Sequence, residues 1–267
     1  MESNNQPVNR VLTVSIKKLK EIALKALKGN WMPVFVATLI FYLIRSCSRI
    51  LDIYFTVDPP KEIVTMAMER GINPVPVPFG GTIYEFLIMG PVSFGLAIFL
   101  LTFFRTKKCD NTLLLDGFAR FGKTFTIFLI SGIKVALWSL LFIFPGIIAA
   151  VRYSMAYYIA ADHPEYSANQ CVNESKRLMT GNISVFILMF LSFLGWLILA
   201  SLPEILLDRF DIVNLTGISE VIYGIVIGIP AVFVNEYLQM TKTVFYEILT
   251  GNLVVMSEGK TSTNTLI

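Results

Sequence analysis

A few charged side chains lie inside stretches that are otherwise apolar, and these are the residues whose types and spacing could do chemistry. Arg45, Arg49 and Asp52 follow i, i+4, i+7 spacing, which puts them on one face of a helix. Glu85 opens a second apolar stretch at a depth where it can pair with Arg45 or Arg49. Lys134 falls near the middle of a third stretch and Arg152 in the outer half of a fourth. A charge at the centre of a bilayer costs about 2.5–3.5 kcal/mol on insertion scales, so it normally faces protein or water. The set Arg45, Arg49, Glu85, Lys134 and Arg152 is net positive, which is the chemistry of a cavity that holds a phosphate or carboxylate group. The competing reading is that Arg49, Asp52 and Glu85 lie near enough to an interface to reach water by themselves. Lys134 and Arg152 are harder to place that way.

Enzyme templates find little to match. His163 is the only histidine and precedes Pro164 in a loop; Asp162 and Glu165 beside it make no metal site without further donors. No GxSxG, HExxH or phosphate-loop sequence is present. Cys47, Cys109 and Cys171 are an odd number without CxxC spacing, which argues against a disulfide framework or a zinc site. The reading is therefore a non-enzyme with no cofactor and no metal. Basic residues without interleaved aromatics exclude a nucleic-acid surface. Asn235-Glu236 is read as a helix-packing or capping pair near the inner interface, and Tyr153, Tyr157 and Tyr158 as packing or interfacial aromatics rather than ligand contacts.

The elements that must position these charges are set by composition. Of 267 residues, 55% are hydrophobic and only 15% charged, against about 25% in soluble domains, which points to lipid as the solvent. The chain is organised around residues 124–162, two apolar runs meeting at Pro145-Gly146. Each run is roughly long enough to cross a hydrocarbon core of about 30 Å, so a transmembrane hairpin turning at Pro145-Gly146 is expected. Further spans are read at about 32–55, 82–104, 183–202 and from about 220, the last including Pro230 and emerging as a helix through Leu249. The Pro-rich segment 56–80 is read as a loop.

Residues 1–9 and 257–267 read as disordered tails and 29–256 as a six-span membrane domain. Residues 10–28 form a basic amphipathic helix, with Leu12, Ile16, Leu19, Ala23, Ala26 and Leu27 on one face. Lys17, Lys18, Lys20, Lys25 and Lys28 fall on the other and are assigned to the membrane surface, near anionic headgroups. A helix packed on the protein's own cytoplasmic face fits the pattern equally. Two more amphipathic pieces precede the third and fifth spans, at Leu114–Phe121 and Ala168–Thr180. Lysine and arginine concentrate in the N-terminal arm and in the loops around 105–123 and 176–177. The positive-inside rule then places both termini in the cytoplasm. A weak repeat accompanies this layout: GNWMPVF (29–35), GKTFTIF (122–128) and GNISVF (181–186) each open an outgoing span, and Pro91, Pro145 and Pro230 mark the returning ones.

The segments LKGNW (27–31), GP (90–91), DGFARF (116–121), LWSLLFIFPGI (137–147), YSMAYYIAADHP (153–164), SKRLMTGN (175–182), LSFLGW (191–196) and FYEIL (245–249) resemble the bacterial integral membrane proteins grouped as domain of unknown function 975. The likeness runs from about Ile16 to Leu249. It implies a bacterial plasma-membrane protein and carries over no activity or catalytic residues. NEYLQM (235–240) stands where that family has a Pro-Tyr pair.

The reading is thus all-α: a polytopic membrane bundle of six transmembrane helices arranged as three hairpins with cytoplasmic interfacial amphipathic helices. It is a multi-pass cell-membrane protein that binds or moves an anionic or amphipathic small molecule or a lipid. The second reading is an accessory, immunity-type factor that binds a membrane-protein partner through its basic face.

Overall fold

The computed structural model describes residues 12, 14–57, 60–71, 77–209 and 218–255. Both expected tails, the start of the 10–28 segment and much of the loop after the fifth span lie outside these residues. The chain begins with α1 (Ile16–Leu27), whose first turn is capped by Ser15 accepting from the Lys18 N–H. Its apolar stripe, Leu19, Ala23, Ala26 and Leu27, is buried. Gly29 then takes φ 83°, a left-handed conformation that ends the helix at no steric cost.

Long apolar helices follow. α2 (Trp31–Tyr54) leads to β1 (Thr56–Val57), α3 (Lys61–Glu69) and β2 (Val77–Pro78), the two strands pairing antiparallel. The segment expected as a loop thus folds into a helix held by a minimal ladder, because its prolines flank Lys61–Glu69 rather than interrupt it. α4 (Gly80–Thr106) runs unbroken through Pro91. A 3₁₀ turn (Asn111–Leu115) and α5 (Asp116–Ala119) lead to α6 (Phe121–Leu141), α7 (Ile143–Tyr153), α8 (Ala156–Asp162) and α9 (Ala168–Met179). The chain closes with α10 (Ile183–Arg209), α11 (Ile218–Ile227) and α12 (Ile229–Thr250). Among the described residues five helical stretches are long and apolar enough to cross a membrane, or six if α11 and α12, bent by 55°, count as one. Leu140, Phe142, Ile143 and Phe144 expose 73–83% of their surface where α6 meets α7, a patch that only an apolar surrounding favours.

Three expectations are corrected in detail. The chain reverses at Phe142, whose extended backbone (φ −163°, ψ 156°) separates α6 from α7. Pro145 and Gly146 lie in the first turn of α7, where a missing N–H is harmless and where Gly146 lets α7 approach Ser139 closely. The last apolar stretch is not one straight helix but breaks at Gly228, immediately before Ile229 and Pro230. Gly122 does not repeat the role of Gly29; it sits inside α6, whereas Gly181 has φ 85° and matches Gly29.

α1 and α9 do match residue for residue. Each has twelve residues, a serine cap (Ser15, Ser167) and a Gly-Asn exit into a long apolar helix. Four buried positions coincide, Leu19, Ala23, Ala26 and Leu27 against Cys171, Ser175, Leu178 and Met179, and α9 also buries Val172 where α1 has Lys20. Neither lies free on a surface. α1 packs on α12 and α10, and α9 on α6, α7 and α8. The middle amphipathic piece packs on α4, with Gly95 against the Leu114 carbonyl and Gly117 against the Pro91 carbonyl. Leu114 is buried, but Leu115, Phe118 and Phe121 are exposed, so the apolar face expected there is only partly used. Among the neighbours of these short elements are α12 for α1, α4 for the middle piece and α8 for α9.

Candidate functional site

The C-terminal ends of α4, α8 and α12 are tied by one ionic cluster. Arg105 Nη1 and Nη2 donate to the two carboxylate oxygens of Asp162 at 2.7 and 2.9 Å. Its Nε donates to Glu247 Oε1 at 2.8 Å, and the Tyr246 hydroxyl donates to Asp162 Oδ2 at 2.9 Å. Planar guanidinium and two carboxylates suit this fork, which uses both edges of Arg105 at once. Beside it, Lys123 Nζ donates to the carbonyls of His163 and Pro164, joining the start of α6 to the end of α8.

Deeper along α12, five residues or about 7.5 Å before Glu247, Lys242 enters the bundle interior. It lines a cavity of about 360 Å³ walled by α2, α4, α6, α7, α8 and α12. Its Nζ lies 5.3 Å from the centre of the Tyr158 ring and makes no hydrogen bond or ion pair among the described residues. No carboxylate lines the cavity. Ser131 Oγ, on the α6 wall, is buried without a hydrogen-bond partner. Gln239, Tyr153 and Tyr157 add an amide and two hydroxyls to the same wall. Such a lining offers donors and one cation with nothing to receive them, and that is the complement of an anion.

Next to the cavity, α7 ends at Tyr153 and α8 begins at Ala156. The chain loosens at Ser154 and Met155, and Ser175 of α9 fills the gap: its hydroxyl donates to the Arg152 carbonyl at 2.8 Å and accepts from the Met155 N–H at 3.1 Å. Tyr157 and Tyr158, just beyond this gap, line the cavity. A second volume of about 750 Å³, bounded by α7, α10 and α12, is almost wholly apolar. Ala150, Ser154, Gln239 and Lys242 line both volumes, so Lys242 stands at their junction.

Of the residues singled out in the sequence, Arg45 and Glu85 form an ion pair at 3.6 Å, each about two-fifths exposed, with Ser48 also on Glu85 Oε1. Arg45 Nε remains without a partner. Arg49 lies against Gly224 of α11, and Asp52 accepts from the Gly81 N–H at 2.8 Å. Lys134 sits over the Tyr153 ring at 5.5 Å, one side chain away from the cavity. Arg152 is half-buried at the end of α7. None of Arg45, Arg49, Glu85, Lys134 and Arg152 lines the cavity, and only Arg45 and Glu85 touch each other. The tyrosines read as packing aromatics line it instead.

Among the surface lysines, Lys18 and Lys25 pair with Glu21 at 3.2 and 3.3 Å, holding the Glu21 carboxyl below its usual range. Lys20 turns away from the surface: its Nζ donates to the Ser192 carbonyl at 3.0 Å and lies 4.1 Å from the Phe193 ring centre. Lys17, Lys25 and Lys28 are exposed. Glu236, read as an interfacial pair member, is fully buried, and neither carboxylate oxygen has a hydrogen-bond partner. Lys242 is not among the residues that the sequence singles out, because the stretch through Leu249 reads as a helix leaving the membrane; its place late in a long apolar stretch is the signal available. Among the described residues no group of three or more His, Cys, Asp or Glu side chains could hold a metal ion.

Fold and cavity together define the class: an all-helical chain with several membrane-length apolar helices around a cation-lined interior, as expected of a multi-pass membrane protein. Residues 143–252, about two-fifths of the chain, match the family model described as "Protein of unknown function (DUF975)". The matched region begins at α7 and contains Asp162, Ser175, Lys242 and Glu247, while Arg105, Ser131 and the first two long helices precede it. No curated protein and no solved structure matches the chain.

Proposed function

We propose that the protein is a non-enzymatic, multi-pass protein of the cell membrane that binds or moves an anionic or amphipathic small molecule. In this reading the six spans form three hairpins, both termini are cytoplasmic, and the Arg105–Asp162–Glu247 cluster marks the cytoplasmic end of the interior cavity. The observation that carries it is Lys242: a cation inside an apolar bundle, without a counter-ion, on the wall of a cavity whose volume falls in the range of about 300–1,000 Å³ typical of ligand sites. An unpaired interior charge is expensive, and a bound anion removes that expense.

The test is calorimetric titration of the purified protein, held in nanodiscs of phosphatidylcholine alone, with a short carboxylate such as butyrate and with a methyl phosphate. One charge-assisted hydrogen bond contributes about 1.5–3 kcal/mol, so Lys242→Met is expected to weaken binding by about ten- to a hundredfold. Ser131→Ala should weaken it by less than tenfold. Undiminished binding by Lys242→Met refutes the site. Lys134→Met and Arg152→Met, titrated in parallel, report whether cations outside the cavity lining contribute long-range attraction.

A further inference from the structure

Resting on the anion site just proposed, we infer that its occupant is a bilayer lipid, with an anionic head at Lys242 and an acyl chain lying in the apolar groove between α7, α10 and α12. The two volumes are unequal in chemistry. The smaller holds the cation, the amide and the hydroxyls; the larger, about 750 Å³, is walled by side chains such as Ile147, Val151, Ile187, Met189 and Leu238. They meet at Lys242, Gln239, Ser154 and Ala150, so a molecule with a charged end and a long apolar end matches both at once.

The groove also opens in the right direction. Phe144, Ile147, Phe190 and Leu191 on its rim expose 45–78% of their surface, on faces of α7 and α10 that meet hydrocarbon in the membrane reading just proposed. A chain entering there exchanges one apolar surrounding for another, and little free energy separates the two states. Selectivity must therefore come from the head. A zwitterionic lipid such as phosphatidylcholine brings its own cation along with its phosphate and gains less at Lys242, whereas an anionic one supplies the missing counter-charge and accepts from the donors around it. A soluble anion would need only the smaller cavity and leaves the groove without a purpose.

The experiment uses the full-length protein in phosphatidylcholine nanodiscs containing a palmitate analogue with a mid-chain diazirine. Irradiation is followed by peptide mass spectrometry, with the butyrate titration run on the same samples. Crosslinks are expected to concentrate on the groove walls, around Ile187, Met189 and Leu238. Lys242→Met should reduce them at least tenfold, and phosphatidylglycerol should compete them away where added phosphatidylcholine does not. Ile187→Trp, which fills the groove, should abolish these crosslinks while leaving butyrate binding within twofold. Crosslinks spread evenly over the outer faces of α2, α6 and α10, or groove crosslinks indifferent to Lys242→Met, overturn the inference. If butyrate binding depends on Lys242 under either of those outcomes, the anion site stands and only its lipid occupant is refuted.

Discussion

Replacing Arg105 by methionine should destabilise the protein more than any other single change at the ends of the long helices. The guanidinium is the sole cation between Asp162 and Glu247 in the cluster, whose side chains are 17% and 3% exposed. Without it two carboxylates and the Tyr246 hydroxyl are left facing one another in a poorly solvated corner. Removing one partner of a buried pair costs about 3–5 kcal/mol. Arg105 itself is 38% exposed, so water screens part of the interaction and the lower end, about 3 kcal/mol, is expected. At about 2–4 °C per kcal/mol for a chain of this size, the melting temperature should fall by roughly 6–12 °C. The assay is thermal unfolding in one detergent, followed by the monodisperse fraction on size exclusion. Arg105→Lys should lose about half as much, because an ammonium cannot satisfy both carboxylates with a planar fork. The triple variant Arg105→Met, Asp162→Asn, Glu247→Gln should recover most of the loss, since it removes the stranded charges along with the bond. A single Arg105→Met within about 3 °C of the parent, equivalent to about 1 kcal/mol, or a triple variant worse than the single, would refute the reasoning.

Other outcomes follow from the same geometry. Glu236 has no hydrogen-bond partner for either carboxylate oxygen among the described residues, so Glu236→Gln, which keeps the shape and removes the charge, should change stability by less than about 1 kcal/mol; a larger loss in thermal unfolding would mean that the carboxylate is needed. A Cβ at Gly117 would collide with the Pro91 carbonyl, so Gly117→Ala should cost about 1–3 kcal/mol by prising α5 from α4; an unchanged melting temperature would show that this contact is slack. Ser175→Ala leaves the Met155 N–H and the Arg152 carbonyl unbonded at the break between α7 and α8, and should cost about 1–3 kcal/mol while loosening butyrate binding. Cys109 is exposed, whereas Cys171 is fully buried with its thiol pushed above its usual range by burial. An impermeant maleimide should therefore modify Cys109 in inside-out vesicles and spare Cys171; modification of Cys109 from outside intact cells would invert the proposed orientation.

Helix type and approximate bounds were legible in the chain because apolar runs of membrane length have few alternatives. Ile183, Ala168 and Trp31 begin helices at or next to where hydropathy and Gly-Asn exits put them. The stripe of Leu19, Ala23 and Ala26 was equally plain, but whether it faced lipid or protein depended on α12, far away in sequence. Backbone breaks were less visible. Phe142 rather than Pro145 carries the turn, since proline fits a helix's first turn and marks it only approximately. Nothing local announces the gap at Ser154, which depends on a hydroxyl from α9.

Charges divide in the same way. One-dimensional spacing put Arg45 at the depth of Glu85, and the two do pair, because they lie on adjacent antiparallel helices near one end of the bundle. Hydropathy and composition by themselves determined that this chain is a set of long apolar helices seeking an apolar solvent. Which interior cations meet a carboxylate was decided only by tertiary packing. Arg105 and Lys242 look alike as letters, yet one meets two carboxylates and the other meets a cavity, because partners for a buried charge come from helices that sequence proximity does not order.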